Sequence, residues 1–242
     1  MTATSLVLTL DASTPRCVLA LGDVDGELLS VDDAAARGRQ ASAALSERLR
    51  AVIEKAGHVP TELAAVGCGI GPGMFTGVRV AIATAKGIAL GLGVPAIGVS
   101  TLAGVAASPL PDTAPALRLA LLDARRGEVY AGLYRCDETG VTALRPDACA
   151  PLQDVLATLT EPVAAIGPGA EAYAEMLDGH PYVPHIEPLE GPTPQGLWAA
   201  TRSAWDSRAD ASALAAVYLR QSYAELGLNP PKRPFVKSPF VD

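Results

Sequence analysis

The chain has 242 residues, of which 49% are hydrophobic and 19% charged, enough apolar material for one large domain or two small ones and too much for a disordered polymer. Its net charge of −7 argues against a surface that holds nucleic acid unaided, because phosphate contacts call for a basic excess. The 4 cysteines show no Cys-x-x-Cys spacing, and neither a signal peptide nor an uncharged transmembrane run is read, so a cytoplasmic protein with reduced thiols is expected.

Leu6–Leu10 is an apolar run that ends at Asp11 and predicts a strand. Ala12-Ser13-Thr14-Pro15 has turn composition, and Cys17–Leu21 predicts the return strand. Asp23-Val24-Asp25-Gly26 reads as a hairpin turn before a third strand, Glu27–Val31. From Gln40 to Ala56 the period becomes helical. Ala41, Leu45, Leu49, Val52, Ile53 and Ala56 share one face, with Glu47, Arg50 and Glu54 opposite, and Gly57 supplies the stop. Ala64–Ile70 has few polar interruptions, as expected for a strand covered on both faces. Gly71-Pro72-Gly73 breaks it, and Phe75–Leu90 predicts a second helix. A short strand, Val94–Val99, and a helical piece from Ser100 follow. The Pro-rich stretch Ser108–Pro115 is the predicted domain boundary.

The second half begins like the first. Leu117–Leu122 predicts a strand ending at Asp123, Ala124-Arg125-Arg126-Gly127 a turn, and Val129–Tyr134 the return strand. Asp137-Glu138-Thr139-Gly140 reads as a hairpin turn. Leu152–Leu159, Ala170–Leu177, Pro192–Trp205 and Ala211–Leu214 look helical, and Val163–Ile166 looks like a strand. The repeated theme predicts two α/β lobes facing a cleft: 1–108, 109–228, and then a Pro-rich tail, 229–242.

The most specific local feature is Gly71-Pro72-Gly73-Met74-Phe75-Thr76-Gly77-Val78-Arg79. Free N–H groups at such a helix start can bind an anion. No Gly-Lys-Ser/Thr follows, so it is not a P-loop. The alternative, which the residues favour, is that the glycines only allow a sharp turn and close helix packing. In the helix that follows, Ala83, Gly87 and Gly91 recur every four residues on one face. Glycine inside a helix costs about 1 kcal/mol against alanine, so close approach of another backbone should offset it. That backbone could be the chain's own sheet, its first helix, or another protein. Arg79 and Lys86 border this surface.

Strands that end in Asp also suggest a nucleotide cleft, with Asp11, Ser13, Asp123 and Gly167 as candidate contacts. The first turn lacks an early glycine, and the second places Arg125 and Arg126 where small residues would admit a phosphate, so the cleft reads as degraded. His58, His180 and His185 have no helical pairing that suits a metal, and no Gly-x-Ser-x-Gly elbow is present. No catalytic residue, no metal and no resident cofactor are expected.

These motifs, taken in order, resemble those of the bacterial TsaB (YeaZ) family: the strand with Asp11, the turn Gly71–Arg79, Ile97-Gly98-Val99-Ser100-Thr101-Leu102, Asp123-Ala124-Arg125-Arg126-Gly127-Glu128-Val129-Tyr130, and Tyr218-Leu219-Arg220. The resemblance implies an α/β fold with two RNase-H-like lobes of the actin/Hsp70 ATPase type. It implies a non-catalytic subunit that binds and stabilises a TsaD-type paralogue, which carries a metal-binding histidine pair and transfers threonylcarbamoyl to adenosine 37 of tRNA. A TsaE-type ATPase joins them, tRNA is met only indirectly, and the isolated chain is a homodimer. The implied partner surface is the pair of helices at about Gln40–Ala56 and Phe75–Leu90, with Leu45, Leu49, Met74, Arg79, Ala83, Lys86, Gly87 and Leu90 as interface residues. Met74 stands where the family often has Ser, which removes a capping option. The Pro-rich tail beyond Leu228 is a second departure. The alternative is an actin-like ATPase or small-molecule kinase acting alone, with Asp11 and Asp123 as its key groups.

Overall fold

The computed structural model describes residues 5–25, 27–35 and 45–220. The expected start of the first helix at 40–44 and the tail 229–242 lie outside them. The first sheet has the order β3-β2-β1-β4-β5, from strands β1 (Leu6–Asp11), β2 (Arg16–Asp23), β3 (Leu28–Ala35), β4 (Leu63–Gly69) and β5 (Ala96–Val99). β1, β2 and β3 form the predicted antiparallel meander. β4 runs parallel to β1, and β5 parallel to β4.

Every residue of β1 is buried, because both faces of the sheet are covered. Leu6, Leu8 and Leu10 alternate onto the face packed by α1 (Leu45–Lys55) and α2 (Phe75–Leu92). Val7 points the other way, toward Leu197 and Trp198 of the last helix, α7 (Pro194–Ser203). Thr9 meets Thr201 of α7 through a 2.9 Å hydroxyl contact. Gly22 makes room for the Trp198 ring, since a Cβ there would lie 2.5 Å from it. α7 thus returns to the first sheet, although its sequence position falls in the expected second lobe. Its apolar face finds the open side of that sheet.

The second sheet contains β6 (Leu117–Arg125), β7 (Glu128–Asp137), β8 (Gly140–Ala143), β10 (Ala164–Ile166) and β11 (His185–Glu187), in the order β11-β10-β6-β7-β8, with β9 (Ala148–Pro151) also paired to β7. Read from the other edge, β8-β7-β6-β10-β11 repeats β3-β2-β1-β4-β5 strand for strand. This duplicated α/β arrangement is the actin-like fold, with α3 (Thr101–Ala106) packed on one face of the second sheet. The other face carries α4 (Leu152–Leu156), α5 (Pro168–Ala172) and α6 (Ala174–Leu177). The expected helix Ala170–Leu177 is two pieces, because Tyr173 leaves helical geometry at φ −120° and ψ 25°. β8, β9 and β11 were not predicted; each has three or four residues and too little alternation to read.

α2 buries Val78, Ala81, Ala85 and Ala89, and Gly93 closes it in the left-handed region at φ 69°. By length and composition alone it could cross a membrane, and it is the only such helix among the described residues. Its buried face is seated on the first sheet. Two glycines of this helix should respond in opposite ways to alanine. A Cβ at Gly77 would lie 1.9 Å from the Ala12 carbonyl oxygen, while one at Gly87 would meet nothing within 4 Å. Gly77→Ala is expected to destabilise by about 1–3 kcal/mol through overpacking. Gly87→Ala is expected to stabilise by about 1 kcal/mol through helix propensity. Urea unfolding of both variants checks this, and effects of the same sign would contradict it.

Candidate functional site

Asp11 ends β1 with its side chain fully buried, at 0% exposure. The Ser13 N–H and hydroxyl each donate to its Oδ1 at 2.6 Å, and the Thr101 hydroxyl donates to Oδ2 at 2.8 Å. Ser13 and Thr101 also touch each other at 2.8 Å. Burial pushes the Asp11 carboxyl up, against the pull of these donors. Gly69 is obligatory here, since a Cβ would lie 1.8 Å from Asp11 Oδ2.

The glycine turn packs directly on the Ala12–Ser13 turn. The Met74 N–H donates to the Ser13 carbonyl at 2.6 Å. A Cβ at Gly73 would come 2.3 Å from the same carbonyl oxygen. Backbone therefore meets backbone where an anion site at this helix start would need room. Met74 caps α2 with no side-chain hydrogen bond, since a thioether is at best a weak acceptor. Thr14 is covered in turn by Gly191, where a Cβ would lie 2.1 Å from the Thr14 hydroxyl oxygen.

The second-lobe turn is different. Asp123 is exposed, and its Oδ1 accepts the Arg125 N–H at 2.7 Å and the Tyr173 hydroxyl at 3.4 Å. Arg125, Arg126 and Gly127 follow one another in the left-handed region, at φ 66°, 60° and 80°. Gly167, at φ 109°, lets its turn approach the Leu121 carbonyl. The structure thus gives Asp11, Ser13, Asp123 and Gly167 partners within the chain, and it places the two aspartates in separate clusters.

A segment the sequence did not assign joins these clusters. The Val217 N–H donates to the Ile70 carbonyl at 2.9 Å, next to the glycine turn. Arg79 Nε donates to the Tyr218 hydroxyl at 3.0 Å, and the Arg79 guanidinium lies 3.6 Å from the Phe75 ring centroid. Phe75 and Tyr218 pack at 5.7 Å between ring centroids. Two residues on, Arg220 donates to the Ala124 carbonyl at 2.8 Å and pairs with Glu128 at 3.1 Å. Residues 217–220 are a strap from the first lobe to the second. The Tyr218-Leu219-Arg220 motif was the available signal, but its contacts are too distant in sequence for spacing to disclose.

The expected interface residues divide. Ala83, Gly87 and Gly91 of α2 are exposed, and Gly87 and Gly91 face open space. Neither the chain's own sheet nor α1 covers this stripe. Leu90 is 62% exposed, and Met74 and Phe75 are exposed as well. Lys86 reaches the Ser212 carbonyl at 3.0 Å, and Arg79 is held as described above. Leu45 and Leu49 correct the expectation: both are buried in the first-lobe core, so the apolar face of α1 serves the sheet and not a partner. Ser46, Glu47, Arg50 and Glu54 are the side that α1 exposes.

The model of the family described as TsaD, tRNA N6-adenosine threonylcarbamoyltransferase, matches residues 35–183. The Escherichia coli K12 protein named tRNA threonylcarbamoyladenosine biosynthesis protein TsaB is 30% identical over 177 residues, covering 70% of this chain and 74% of that one. The chain belongs to the TsaB family. The Bacillus subtilis TsaB is 34% identical over 122 residues, 49% of this chain and 52% of its own. A solved structure of YeaZ from Pseudomonas aeruginosa superposes with a TM-score of 0.76 at 28% identity, covering 89% of this chain and 100% of that one. In this TsaB-family member, no group of three or more potential metal ligands occurs among the described residues. His58 contacts Glu62 and His185 contacts Glu187.

Asp11 yields a pH test. Its folded pKa is raised from the ordinary 3.8, so the folded state holds this proton more tightly than the unfolded chain does. The resulting stabilisation is present at low pH and is lost as pH rises from about 3.8 through the folded value. Asp11→Asn is neutral throughout and keeps an oxygen for the Ser13 donors. Urea unfolding between about pH 4 and pH 8 should show the variant gaining stability relative to the native protein as pH rises. A stability of the variant relative to native that stays flat or falls as pH rises would contradict a buried carboxylate without a cation.

Proposed function

We propose that this TsaB-family member is a non-catalytic subunit for threonylcarbamoyladenosine synthesis on tRNA, and that it binds and stabilises a TsaD-type paralogue through the outward face of α2. The observation that carries the reading is the exposed Ala83–Gly87–Gly91 stripe with open space above it. Small residues on a helix face let a second helix approach closely, and their flat surface is complementary to a similar face. Leu90 borders the stripe with exposed apolar area, and Met74 and Phe75 add exposed apolar area at the start of the same helix. Partner contacts would recover the helix propensity that the glycines forgo. In isolation the same face would pair two copies as a homodimer.

The charge of −7 supports indirect contact with tRNA, through the paralogue, with a TsaE-type ATPase completing a cytoplasmic assembly. The non-catalytic reading is supported by the contacts around Asp11. Its carboxylate is occupied by Ser13 and Thr101, and the turn beside it is packed shut by Gly73 and Met74. An ATPase or kinase would need that carboxylate to reach a metal or a water.

Co-expression with a TsaD-type paralogue tests the reading. The native chain is expected to co-purify with it, and Ala83→Trp or Gly87→Trp to weaken the complex at least about tenfold, or about 1.4 kcal/mol. Thermal unfolding of the isolated variants, at protomer concentrations where the native chain is monomeric, should stay near native, because both positions face solvent in the monomer. Undiminished binding would overturn the α2 assignment. Threonylcarbamoyl transfer by the chain alone would overturn the non-catalytic role.

A further inference from the structure

A cavity of about 300 Å³ lies where the two lobes meet α7. Its walls come from the β5–α3 junction (Val99, Ser100, Ala103), from β7 and β8 (Tyr134, Val141), from the β8–β9 loop (Arg145, Asp147), and from α7 (Ala200, Ser203). Its volume is at the lower end of the range for small-molecule sites, about 300–1,000 Å³. Much of the lining is apolar, and two lining residues are charged: Asp147 and Arg145.

Asp147 is built into this place. Ser100 Oγ donates to its Oδ2 at 2.5 Å, and the Tyr134 hydroxyl donates to Oδ1 at 2.6 Å. Ser100 is also the N-cap of α3, accepting the Leu102 N–H at 3.1 Å, so its orientation is fixed from both sides. Gly132 on β7 leaves the space the carboxylate occupies, since a Cβ there would lie 2.4 Å from Asp147 Oδ1. Tyr134 is 3% exposed. Burial pushes both the Asp147 carboxyl and the Tyr134 hydroxyl up, so Tyr134 stays protonated as a donor. Each carboxylate oxygen carries two lone pairs, and one hydroxyl donor to each leaves acceptor capacity over. Asp147 is only partly exposed, and two neutral hydroxyls do not neutralise its charge. Arg145 reaches Thr158 through Nη1 at 2.6 Å, which uses one of five guanidinium donors.

We propose that this cavity binds a small zwitterion of free α-amino-acid size, its ammonium on Asp147 and its carboxylate on Arg145, its short side chain against Val99, Ala103, Val141 and Ala200. A simple cation would be repelled by Arg145, and a simple anion by Asp147. One charge of each sign, two residues apart on one loop, selects a ligand that carries both. The site stands apart from the outward face of α2, so its fate and that of the partner reading are independent.

Calorimetric titration of the full chain with glycine, L-alanine, L-serine and L-valine tests this, with glycinamide and acetate as the two half-charged controls. The zwitterions are expected to bind at least tenfold tighter than either control. Arg145→Gln, at a partly exposed position, is expected to weaken them at least tenfold with an unchanged melting temperature. Asp147→Asn should weaken them at least tenfold as well, with a lower melting temperature, because its amide nitrogen cannot accept from Ser100 or Tyr134. No heat from any of the four amino acids up to about 10 mM overturns the proposal. So does equal binding of glycinamide or acetate, or undiminished binding by Arg145→Gln. In that event Ser100, Asp147 and Tyr134 are solely a clasp between the lobes.

Discussion

The first lobe is arranged around one buried carboxylate. Asp11 sits at the end of the central strand with no exposed surface, and its partners are hydroxyls and an N–H. Hydrogen bonds to a charged group contribute about 1.5–3 kcal/mol each, while removing such a charge from water costs several kcal/mol or more. The raised pKa says that the cost of burial is the larger of the two. The arrangement persists because the surroundings leave Asp11 nowhere else to go. Gly69, Gly73 and Gly77 allow β4 and the glycine turn to close on the Asp11–Ser13 turn at distances that any other residue would forbid. Thr101 then ties the start of α3 to β1. Its neighbour Ser100 turns the other way and ties the same helix start to Asp147 in the second lobe. Two adjacent hydroxyls thereby connect the buried charge to the lobe junction.

The second lobe repeats the strand order but not this solution. Asp123 occupies the equivalent strand end, yet it is exposed and fixes a hairpin through the Arg125 N–H. Arg125 and Arg126 adopt left-handed backbone, which costs a residue with a Cβ about 1–2 kcal/mol. Contacts around the hairpin help to hold it: Tyr173 on Asp123, and Arg220 on both the Ala124 carbonyl and Glu128. Arg220 belongs to the strap, whose other end is fixed on Ile70, Phe75 and Arg79. In this duplicated fold the strap and the Ser100–Asp147 bond thus join the lobes, alongside α3 packed on the second sheet and α7 packed on the first.

Much of this architecture was legible in the sequence. The strand ending in Asp11, the meander after it and the glycine turn launching a helix at Phe75 each follow from short-range rules of period and turn chemistry. Three kinds of feature were not. The edge strands β8, β9 and β11 are too short to carry a period. The strap acts through contacts at separations of more than 90 residues, as between Arg220 and Ala124, which no local rule addresses. The third concerns direction. Spacing showed that Ala83, Gly87 and Gly91 share a face of α2, but Ala81, Ala85 and Ala89 form a second small-residue face two positions away. Composition cannot tell which of the two turns inward, and the structure buries the alanines. Leu45 and Leu49 illustrate the reverse case. The apolar face of an amphipathic helix is by default a core face, and family resemblance alone had assigned them outward.

The two small faces of α2 fit together as one device. Alanines inward bring the helix close to the first sheet, and glycines outward leave its backbone accessible from the other side. Glycine weakens a helix, so a helix with open glycines needs to be held by something other than its own propensity. The glycine turn holds its start, with Met74 bonded to Ser13 and Gly77 against Ala12. The strap holds its first turns through Phe75, Arg79 and Tyr218. Lys86 holds the middle on the Ser212 carbonyl, and Gly93 fixes the end. The residues that resemble a nucleotide cleft and the face that would meet a partner are therefore mechanically continuous. The clamp around Asp11 sets the position and angle of α2, and the strap makes that position depend on the second lobe. A surface positioned in this way can be small-featured and still specific, because its geometry is fixed before any partner arrives.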